Sequence, residues 1–244
     1  MNLILFADNA TDRTLDPDDP RTIHVRSVLR MGIGDTIDVG VINGARGKAT
    51  IRSNDANGIT LAIEWGSIPT PPFPIHLLLA LPRPQTARRL LRECTALGVA
   101  SMAFFKSEKG EPSYRQSRLW HGDEWRRHLI HGAEQAFTTH IPGVTHFDTI
   151  SDCLKTARED TSRVALDVYE AVGSIAHWDT AQPPVTMAIG PERGFSDADR
   201  RALRSAGFEL RHLGHRVLRT ETAAIAATAV ISARFGFLST PHAP

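Results

Sequence analysis

The fold of the chain is decided by the stretch Val185-Thr-Met-Ala-Ile-Gly-Pro-Glu-Arg-Gly-Phe-Ser196. Its first five residues are mostly apolar and predict a strand that is buried in a parallel sheet. Ser196 and the acidic residues that follow it predict the capped start of a helix. Because ligands bind at the carboxyl ends of strands in open α/β sheets, residues 189–194 form a candidate ligand loop. A tight turn without a ligand is the alternative interpretation.

A second loop favours the ligand interpretation. Residues 213–224 read Leu-Gly-His-Arg-Val-Leu-Arg-Thr-Glu-Thr-Ala-Ala, and they lead from a predicted strand over 208–213 into a predicted final helix over 220–235. Thr220 is the predicted N-cap and Glu221 stands in the first turn. The helix is rich in alanine, and small side chains allow a helix to pack closely against another backbone. The two loops together indicate a ligand site, with buried packing as the alternative.

Elsewhere the chain divides into two predicted domains. Four prolines within Ser67-Ile-Pro-Thr-Pro-Pro-Phe-Pro74 exclude a helix or a central strand there and predict a stiff linker. Residues 73–244 alternate strands and helices, which indicates an α/β domain with a mostly parallel sheet. Its predicted strands are 75–81, 101–105, 164–168, 185–189 and 208–213, and its predicted helices are 86–97, 120–137 and 220–235.

Residues 1–68 have a different pattern, typical of a small β-barrel. Apolar and polar residues alternate in three predicted strands over 35–39, 48–52 and 59–63, and glycines separate them. Asn57-Gly58 favours a tight hairpin turn between the last two strands. Residues 24–30 are predicted to form a short helix.

The composition excludes several classes of protein. The chain has 244 residues with 28 Lys or Arg and 27 Asp or Glu, so its net charge of +1 excludes a strongly basic protein that coats any nucleic acid. No apolar run is long enough to span a bilayer, and the N-terminus lacks the basic flank of a signal peptide. We therefore expect a cytoplasmic protein whose two cysteines, Cys94 and Cys153, are reduced.

Two clusters of side chains remain ambiguous. A solvated helix face is the favoured interpretation for four residues that could instead hold a metal: His121, Glu124, His128 and His131. The same interpretation applies to His212-x-x-His215, and no metal is expected. Four arginines form either an exposed helix face or a patch that contacts phosphate: Arg83, Arg88, Arg89 and Arg92.

The two loops resemble motifs of the 16S ribosomal RNA uridine N3-methyltransferase family, which belongs to the knotted SPOUT methyltransferases. The resemblance rests on Ile-Gly-Pro-Glu-x-Gly-Phe-Ser over 189–196 and Leu-Gly-x-Arg-Val-Leu-Arg-Thr-Glu-Thr-Ala over 213–223. It implies an RNA-binding PUA-like barrel, a SPOUT α/β domain with a deep trefoil knot, and a homodimer. It also implies S-adenosylmethionine as the cofactor and methylation at N3 of a uridine in 16S ribosomal RNA.

The resemblance implies a set of cofactor-binding residues: Leu166, Asp167, Ile189, Gly190, Pro191, Glu192, Gly194, Leu213, Gly214, Val217, Leu218 and Thr220. Backbone groups of Leu213, Val217 and Leu218 would hold the adenine, and Gly190 and Gly214 would allow its close approach. Three residues are the catalytic candidates: Arg219, Glu221 and Glu192. Arg219 would stabilise developing charge, unless it forms an ion pair with one of the two acids, and either acid could serve as the general base. Contacts to RNA are expected from Arg26, Arg30, Arg88 and Arg216.

The chain also departs from the family pattern. Arg193 stands where the family has glycine, and Thr138 stands where the family has an arginine suited to phosphate contact. Two alternatives to the leading interpretation therefore stay open. One is the same methyl transfer to another RNA or to a small molecule. The other is an RNA-binding dimer without catalysis, in which Arg193 blocks the cofactor site.

Overall fold

The computed structural model describes residues 3–157 and 160–239, which form two compact units. The first unit contains the residues up to Pro71 together with Ile130–Ile141. The second contains Pro72–Leu129 and the chain from Pro142 onward. The boundary at Pro71 lies within the predicted linker. Residues 130–141, in contrast, were predicted within the second domain and instead belong to the first unit.

The first unit is built on five strands: β1 (Leu3–Phe6), β2 (Asp12–Leu15), β3 (Thr36–Val41), β4 (Arg46–Asp55) and β5 (Gly58–Trp65). They form one sheet in the order β1-β3-β4-β5-β2, in which only β1 and β3 run parallel. The predicted strands 48–52 and 59–63 lie within β4 and β5, and the predicted strand 35–39 overlaps β3 but starts one residue before it. Asp55 pairs with Gly58 across the predicted hairpin turn. β1 and β2 were not predicted. Alternate apolar side chains of all five strands share one core.

Helix α1 (Pro20–His24) and a π-helical turn over Val25–Leu29 follow β2. The predicted helix over 24–30 therefore begins earlier than expected. The Asp19 carboxylate accepts a hydrogen bond from the N–H of Arg21 at 2.8 Å and caps the helix. Pro20 occupies the first helical position, where its missing N–H costs no hydrogen bond.

Long-range hydrogen bonds explain why residues 130–141 belong to the first unit. The Thr139 hydroxyl donates to the carbonyl of Gly44 at 2.8 Å, and the N–H of Ile141 donates to the Asn43 side chain at 2.9 Å. The N–H of Leu5 donates to Glu134 at 3.3 Å, and burial raises the pKa of this carboxyl. These partners are distant in sequence, so no local pattern could predict them.

The second unit contains six parallel strands: β6 (Phe73–Ala80), β7 (Val99–Phe105), β8 (Gly143–Phe147), β9 (Ser162–Leu166), β10 (Val185–Ile189) and β11 (Glu209–Arg211). Their order in the sheet is β11-β9-β10-β6-β7-β8. The predicted α/β architecture with a parallel sheet is confirmed. β10 has its predicted bounds, whereas β8 was not predicted.

Five α-helices follow strands β6 to β11 along the described chain: α2 (Pro84–Ala96), α3 (Glu124–Gln135), α4 (Ile150–Leu154), α5 (Asp197–Ser205) and α6 (Thr220–Arg234). Short 3₁₀ helices cover Pro112–Gln116, Arg118–Trp120 and Ile175–His177. The boundary between the units falls within α3. This helix is shorter than the predicted 120–137, since a 3₁₀ turn over Arg118–Trp120 precedes it. Helix α5 starts with the predicted cap, in which Ser196 and Asp199 bond each other's backbone N–H groups.

The register of the sheet brings three loops to one place. Leu166 at the end of β9 pairs with both Ile189 at the end of β10 and Arg211 at the end of β11. The strand order changes direction beside β6, because β7 and β8 follow it on one side whereas β10, β9 and β11 lie on the other. Ligands bind at the carboxyl ends of the strands beside such a point in α/β sheets. The loops that follow β9, β10 and β11 therefore leave the sheet side by side.

No helix among the described residues is long and apolar enough to cross a membrane. Cys94 and Cys153 are free and buried, as expected for reduced thiols. Burial raises the pKa of both thiols to about 12.

Candidate functional site at the carboxyl ends of three strands

The three loops enclose an open cleft with a cavity volume of about 170 Å³. Seventeen residues line it: Leu166, Asp167, Val168, Tyr169, Ile189, Gly190, Pro191, Glu192, Arg193, Gly194, His212, Leu213, Arg216, Val217, Leu218, Thr220 and Ala223. Eleven of the twelve predicted cofactor-binding residues are among them, and Gly214 is not. The two motifs that carry the family resemblance therefore meet at one site.

The loop after β10 is shaped by its glycines. The N–H of Gly194 donates to the carbonyl of Pro191 at 2.8 Å, and Gly194 has a φ of 70°, a conformation that glycine adopts without strain. A side chain at Gly190 would meet the backbone N of Phe195 at 3.2 Å. The missing side chain of Gly190 therefore lets the loop fold onto itself, and the close approach of the cofactor to Gly190 stays a prediction.

Three contacts fix this loop from outside. The Thr220 hydroxyl donates to the carbonyl of Gly190 at 3.4 Å, and the Lys109 ammonium donates to the carbonyl of Phe195 at 3.1 Å. The Glu192 carboxylate accepts a hydrogen bond from the N–H of Arg83 at 3.1 Å. Thr220 is the first residue of α6, so it is not the N-cap that the sequence predicts. The N-cap is Arg219, which makes no side-chain capping bond.

The loop after β9 is held by Asp167, which is 5% exposed. One carboxylate oxygen accepts from the N–H groups of Tyr169 and Glu170 at 2.7 and 2.8 Å. The other accepts from Nε of Arg200 at 2.8 Å. Burial opposes the charge of Arg200, but the hydrogen bond and the charges of nearby carboxylates outweigh it and raise the pKa of the guanidinium. Asp167 thus shapes the wall of the cleft.

The loop after β11 offers apolar surface and free backbone donors. His212 accepts a hydrogen bond from the N–H of Gly214 at 3.0 Å, and Gly214 has a φ of 104°. This backbone conformation favours glycine, and Gly214 itself does not line the cleft. The close approach of a ligand to Gly214 stays a prediction. Within the described chain, no group accepts a hydrogen bond from the N–H of Leu213, Val217 or Leu218. An aromatic ring with acceptor atoms fits such a wall.

The three catalytic candidates are not all at the cleft. Glu192 lines it, whereas Arg219 and Glu221 do not. Glu221 is buried and forms an ion pair with Arg89 of α2 at 3.2 Å. Because a general base must reach its substrate, this geometry argues against Glu221 in that role. The expected alternative, an ion pair between Glu221 and Arg219, does not form, because Glu221 pairs with Arg89 and Arg219 is exposed at the start of α6.

The arginines expected to bind RNA also differ from one another. The Arg26 guanidinium donates to Asn54 and to the carbonyls of Asp55 and Gly58, so it stabilises the β4–β5 hairpin instead. Arg88 forms an ion pair with Glu124 at 2.6 Å, and this hydrogen bond lowers the pKa of the Glu124 carboxyl.

Arg30 and Arg216 are exposed, and only Arg216 lines the cleft. Among residues 3–157 and 160–239, no group of three or more His, Cys, Asp or Glu side chains is arranged to hold a metal ion.

Two lining residues are not singled out as ligand-binding from the sequence, Val168 and Tyr169. Both lie in the loop after β9, so the end of that strand is the signal that finds them. His212 also lines the cleft, although the sequence suggests it only as a metal candidate. Ala223 lies one turn into α6. Tyr169 and Val217 are each 74% exposed, which leaves one side of the cleft open.

Comparison with known proteins decides the family. The family model described as an RNA methyltransferase domain matches residues 69–232. A ribosomal RNA small subunit methyltransferase E from Treponema pallidum is 32% identical over 96% of this chain and 91% of the relative. The chain belongs to the ribosomal RNA small subunit methyltransferase E family. A second family member, from Borreliella burgdorferi, is 24% identical over 96% of this chain and 98% of its own length.

Solved structures show the same fold for the family. A putative methyltransferase from Legionella pneumophila in complex with the bound cofactor S-adenosylmethionine superposes with a TM-score of 0.82 and 26% identity, over 95% of this chain and 97% of that one. The small subunit methyltransferase E from Neisseria gonorrhoeae, bound to S-adenosylmethionine, gives 0.81 at 22% identity, over 96% and 98%. The matched family region, 69–232, includes every residue of the cleft.

Proposed function

We propose that the protein transfers a methyl group from S-adenosylmethionine to small-subunit ribosomal RNA, and that the acceptor is N3 of a uridine in 16S ribosomal RNA. The observation that carries the proposal is the cleft itself. Both loop motifs of the methyltransferase E family line it, at the carboxyl ends of β9, β10 and β11. The names of the relatives and the cofactor bound in the Legionella structure support the same activity. Such an acceptor places the protein in the cytoplasm.

The cleft fits this cofactor chemically. Leu213, Val217 and Leu218 present apolar surface and N–H groups that no described residue accepts, as an adenine ring requires. Leu166 and Ile189 supply the apolar floor. When bound, S-adenosylmethionine supplies a methyl group on a positively charged sulfur.

The chain supplies positioning and charge. The uridine N3–H must first lose its proton, and the resulting imide anion needs a nearby positive charge. The new N–C bond would form as the sulfur–methyl bond of the cofactor breaks, and the electron pair of that bond would stay on the sulfur as a neutral thioether. Glu192 is the candidate to take the proton, because its carboxylate lines the cleft and is exposed. Arg219 follows the lining residue Leu218 and is the candidate to stabilise the imide anion.

Three finer features are part of the same proposal. We propose that the first unit is a PUA-like barrel that contacts RNA, with the exposed Arg30 as one contact. We propose that the segments around the cleft form the trefoil knot. We also propose a homodimer, in which a second copy covers the open side of the cleft near Tyr169 and Val217.

The test uses small ribosomal subunits that lack uridine N3 methylation. They are incubated with the protein and isotope-labelled S-adenosylmethionine, and the label is mapped by mass spectrometry. One labelled uridine at N3 is expected. Label on another RNA would support the alternative acceptor instead, and failure to bind the cofactor at all would support the non-catalytic alternative.

A pair of variants ties the activity to the cleft. Glu192→Gln should lose most of the transfer while it still binds the cofactor. Glu93→Gln changes a carboxylate on α2 that does not line the cleft, so it should leave transfer unchanged. Equal activity of the two variants would remove Glu192 from the mechanism.

A further inference from the structure

The charged side chains that line the cleft differ in whether they have hydrogen-bond or ion-pair partners in the fold. Two acids and two arginines line the cleft: Asp167, Glu192, Arg193 and Arg216. Arg200 pairs with Asp167 and neutralises its charge, whereas the Glu192 carboxylate accepts a hydrogen bond only from the neutral N–H of Arg83 and keeps its charge. Within the described chain, neither Arg193 nor Arg216 forms an ion pair, a hydrogen bond or a ring contact through its side chain, and both are exposed. Among the described residues, the cleft therefore presents two guanidinium groups and one carboxylate, that of Glu192, without an ionic partner, and these three groups sum to one positive charge.

The two guanidinium groups belong to different walls of the cleft. Arg193 stands in the loop after β10 and Arg216 in the loop after β11. A guanidinium has a planar set of N–H donors that matches the oxygens of phosphate or carboxylate. An anion at the mouth of the cleft could therefore be contacted from both sides.

The charge of the cofactor indicates which anion this is. The sulfonium of S-adenosylmethionine is itself positive, so two more positive charges do not favour its reacting end. The acceptor, in contrast, carries one negative charge on each phosphate of its backbone. We propose that Arg193 and Arg216 form an arginine pair that binds backbone phosphates of the acceptor RNA beside the target nucleotide. This inference rests on the proposed function, and it assigns a positive role to Arg193, the residue that departs from the family pattern.

The consequence is a measurable dependence on salt. Each phosphate contact with single-stranded nucleic acid releases counterions and contributes about 0.7 to the slope of log K against log salt. Removing one charge of the arginine pair should reduce the slope by about that amount. Cofactor affinity should stay within about twofold, because the pair contacts the RNA.

The experiment measures binding of a short fluorescein-labelled oligouridylate to the full chain by anisotropy over a series of salt concentrations. The variants are Arg193→Gln and Arg216→Gln, and Arg193→Lys tests whether charge alone restores the slope. Arg201→Gln is the matched control, because Arg201 is exposed on α5 and does not line the cleft. We expect a reduced slope for both glutamine variants and wild-type slopes for the lysine and control variants.

A second arm tests the cofactor carboxylate as the competing anion. Calorimetry compares S-adenosylmethionine with its decarboxylated form for wild type and Arg193→Gln. If Arg193→Gln weakened only the carboxylate-bearing form, the arginine would bind the cofactor and the proposal would be overturned. Unchanged salt slopes in both glutamine variants would overturn it as well. Neither arm depends on methyl transfer, so failure of the proposed activity remains a separate result.

Discussion

The buried ion pair between Asp167 and Arg200 allows a sharp test of how the cleft is built. The Arg200 side chain is 7% exposed and the Asp167 side chain 2%, with 2.8 Å between Nε and Oδ2. A second carboxylate, Asp197, contacts the same guanidinium at 3.1 Å but is 80% exposed. A third carboxylate, Glu170, lies 3.6 Å from the guanidinium, and its side chain is 40% exposed. Asp167 therefore pairs with Arg200 in a buried environment, whereas Asp197 and Glu170 do so close to solvent.

We predict very different costs for Asp167→Asn and Asp197→Asn. Removing one partner of a buried pair leaves an uncompensated charge and costs about 3–5 kcal/mol. Asparagine keeps the oxygen that accepts from Tyr169 and Glu170, and Asp197 still contacts Arg200, so the lower end of about 3 kcal/mol is expected. The exposed pair of Asp197 contributes at most about 1 kcal/mol.

Urea unfolding of the wild type and both variants gives the free energies of unfolding, with equal m-values as the condition for comparison. Calorimetry with S-adenosylmethionine adds a second measurement. Asp167→Asn should also weaken cofactor binding, because its loop lines the cleft. A free-energy cost for Asp167→Asn no larger than that for Asp197→Asn would contradict the prediction, since burial would then not decide the strength of the pair.

Three further predictions concern other parts of the second unit. Lys109→Met should raise the dissociation constant for S-adenosylmethionine severalfold in calorimetry, because the hydrogen bond from Lys109 to the Phe195 carbonyl holds the loop after β10. Lys109→Arg should restore binding. An unchanged dissociation constant for Lys109→Met would contradict this prediction. Burial, with the charge of Arg115, lowers the pKa of His146 from 6.5 to about 4. Between these two pH values the unfolded chain binds a proton that the folded protein does not, so the free energy of unfolding should fall as the pH drops from 6.5 to about 4. Thermal melts should show a smaller fall for His146→Phe, and an identical fall would exclude His146 as the cause. The two buried cysteines should react with a thiol reagent at about pH 8 only after denaturation, and rapid reaction of the native protein would contradict their burial.

Much of the second unit could be predicted from the sequence. Strands buried on both faces of a parallel sheet leave continuous apolar runs, and Val185–Ile189 is such a run with its bounds intact. The cap at Ser196 and the loop after β10 are likewise local signals. Local signals therefore indicate the loops after β10 and β11 as a ligand site. The loop after β9 enters only through the family resemblance, which names Leu166 and Asp167.

What could not be predicted depends on contacts that are distant in sequence. β1 and β2 have four residues each, too few for a clear period, and β8 is only partly buried. The partner of Glu221 is Arg89, 132 residues away, and the hairpin bonds of Arg26 cross about 30 positions. Arginines that look free for RNA in the sequence are therefore used inside the fold.

The proposed function depends most on the cofactor lying in the cleft formed by the loops after β9, β10 and β11. A crystal structure of the full chain with S-adenosylmethionine tests this most directly. We predict density for the adenine against Leu213, Val217 and Leu218, with the sulfonium methyl facing the open side near Glu192. Cofactor density at any other place, or an empty cleft at saturating cofactor, would contradict it.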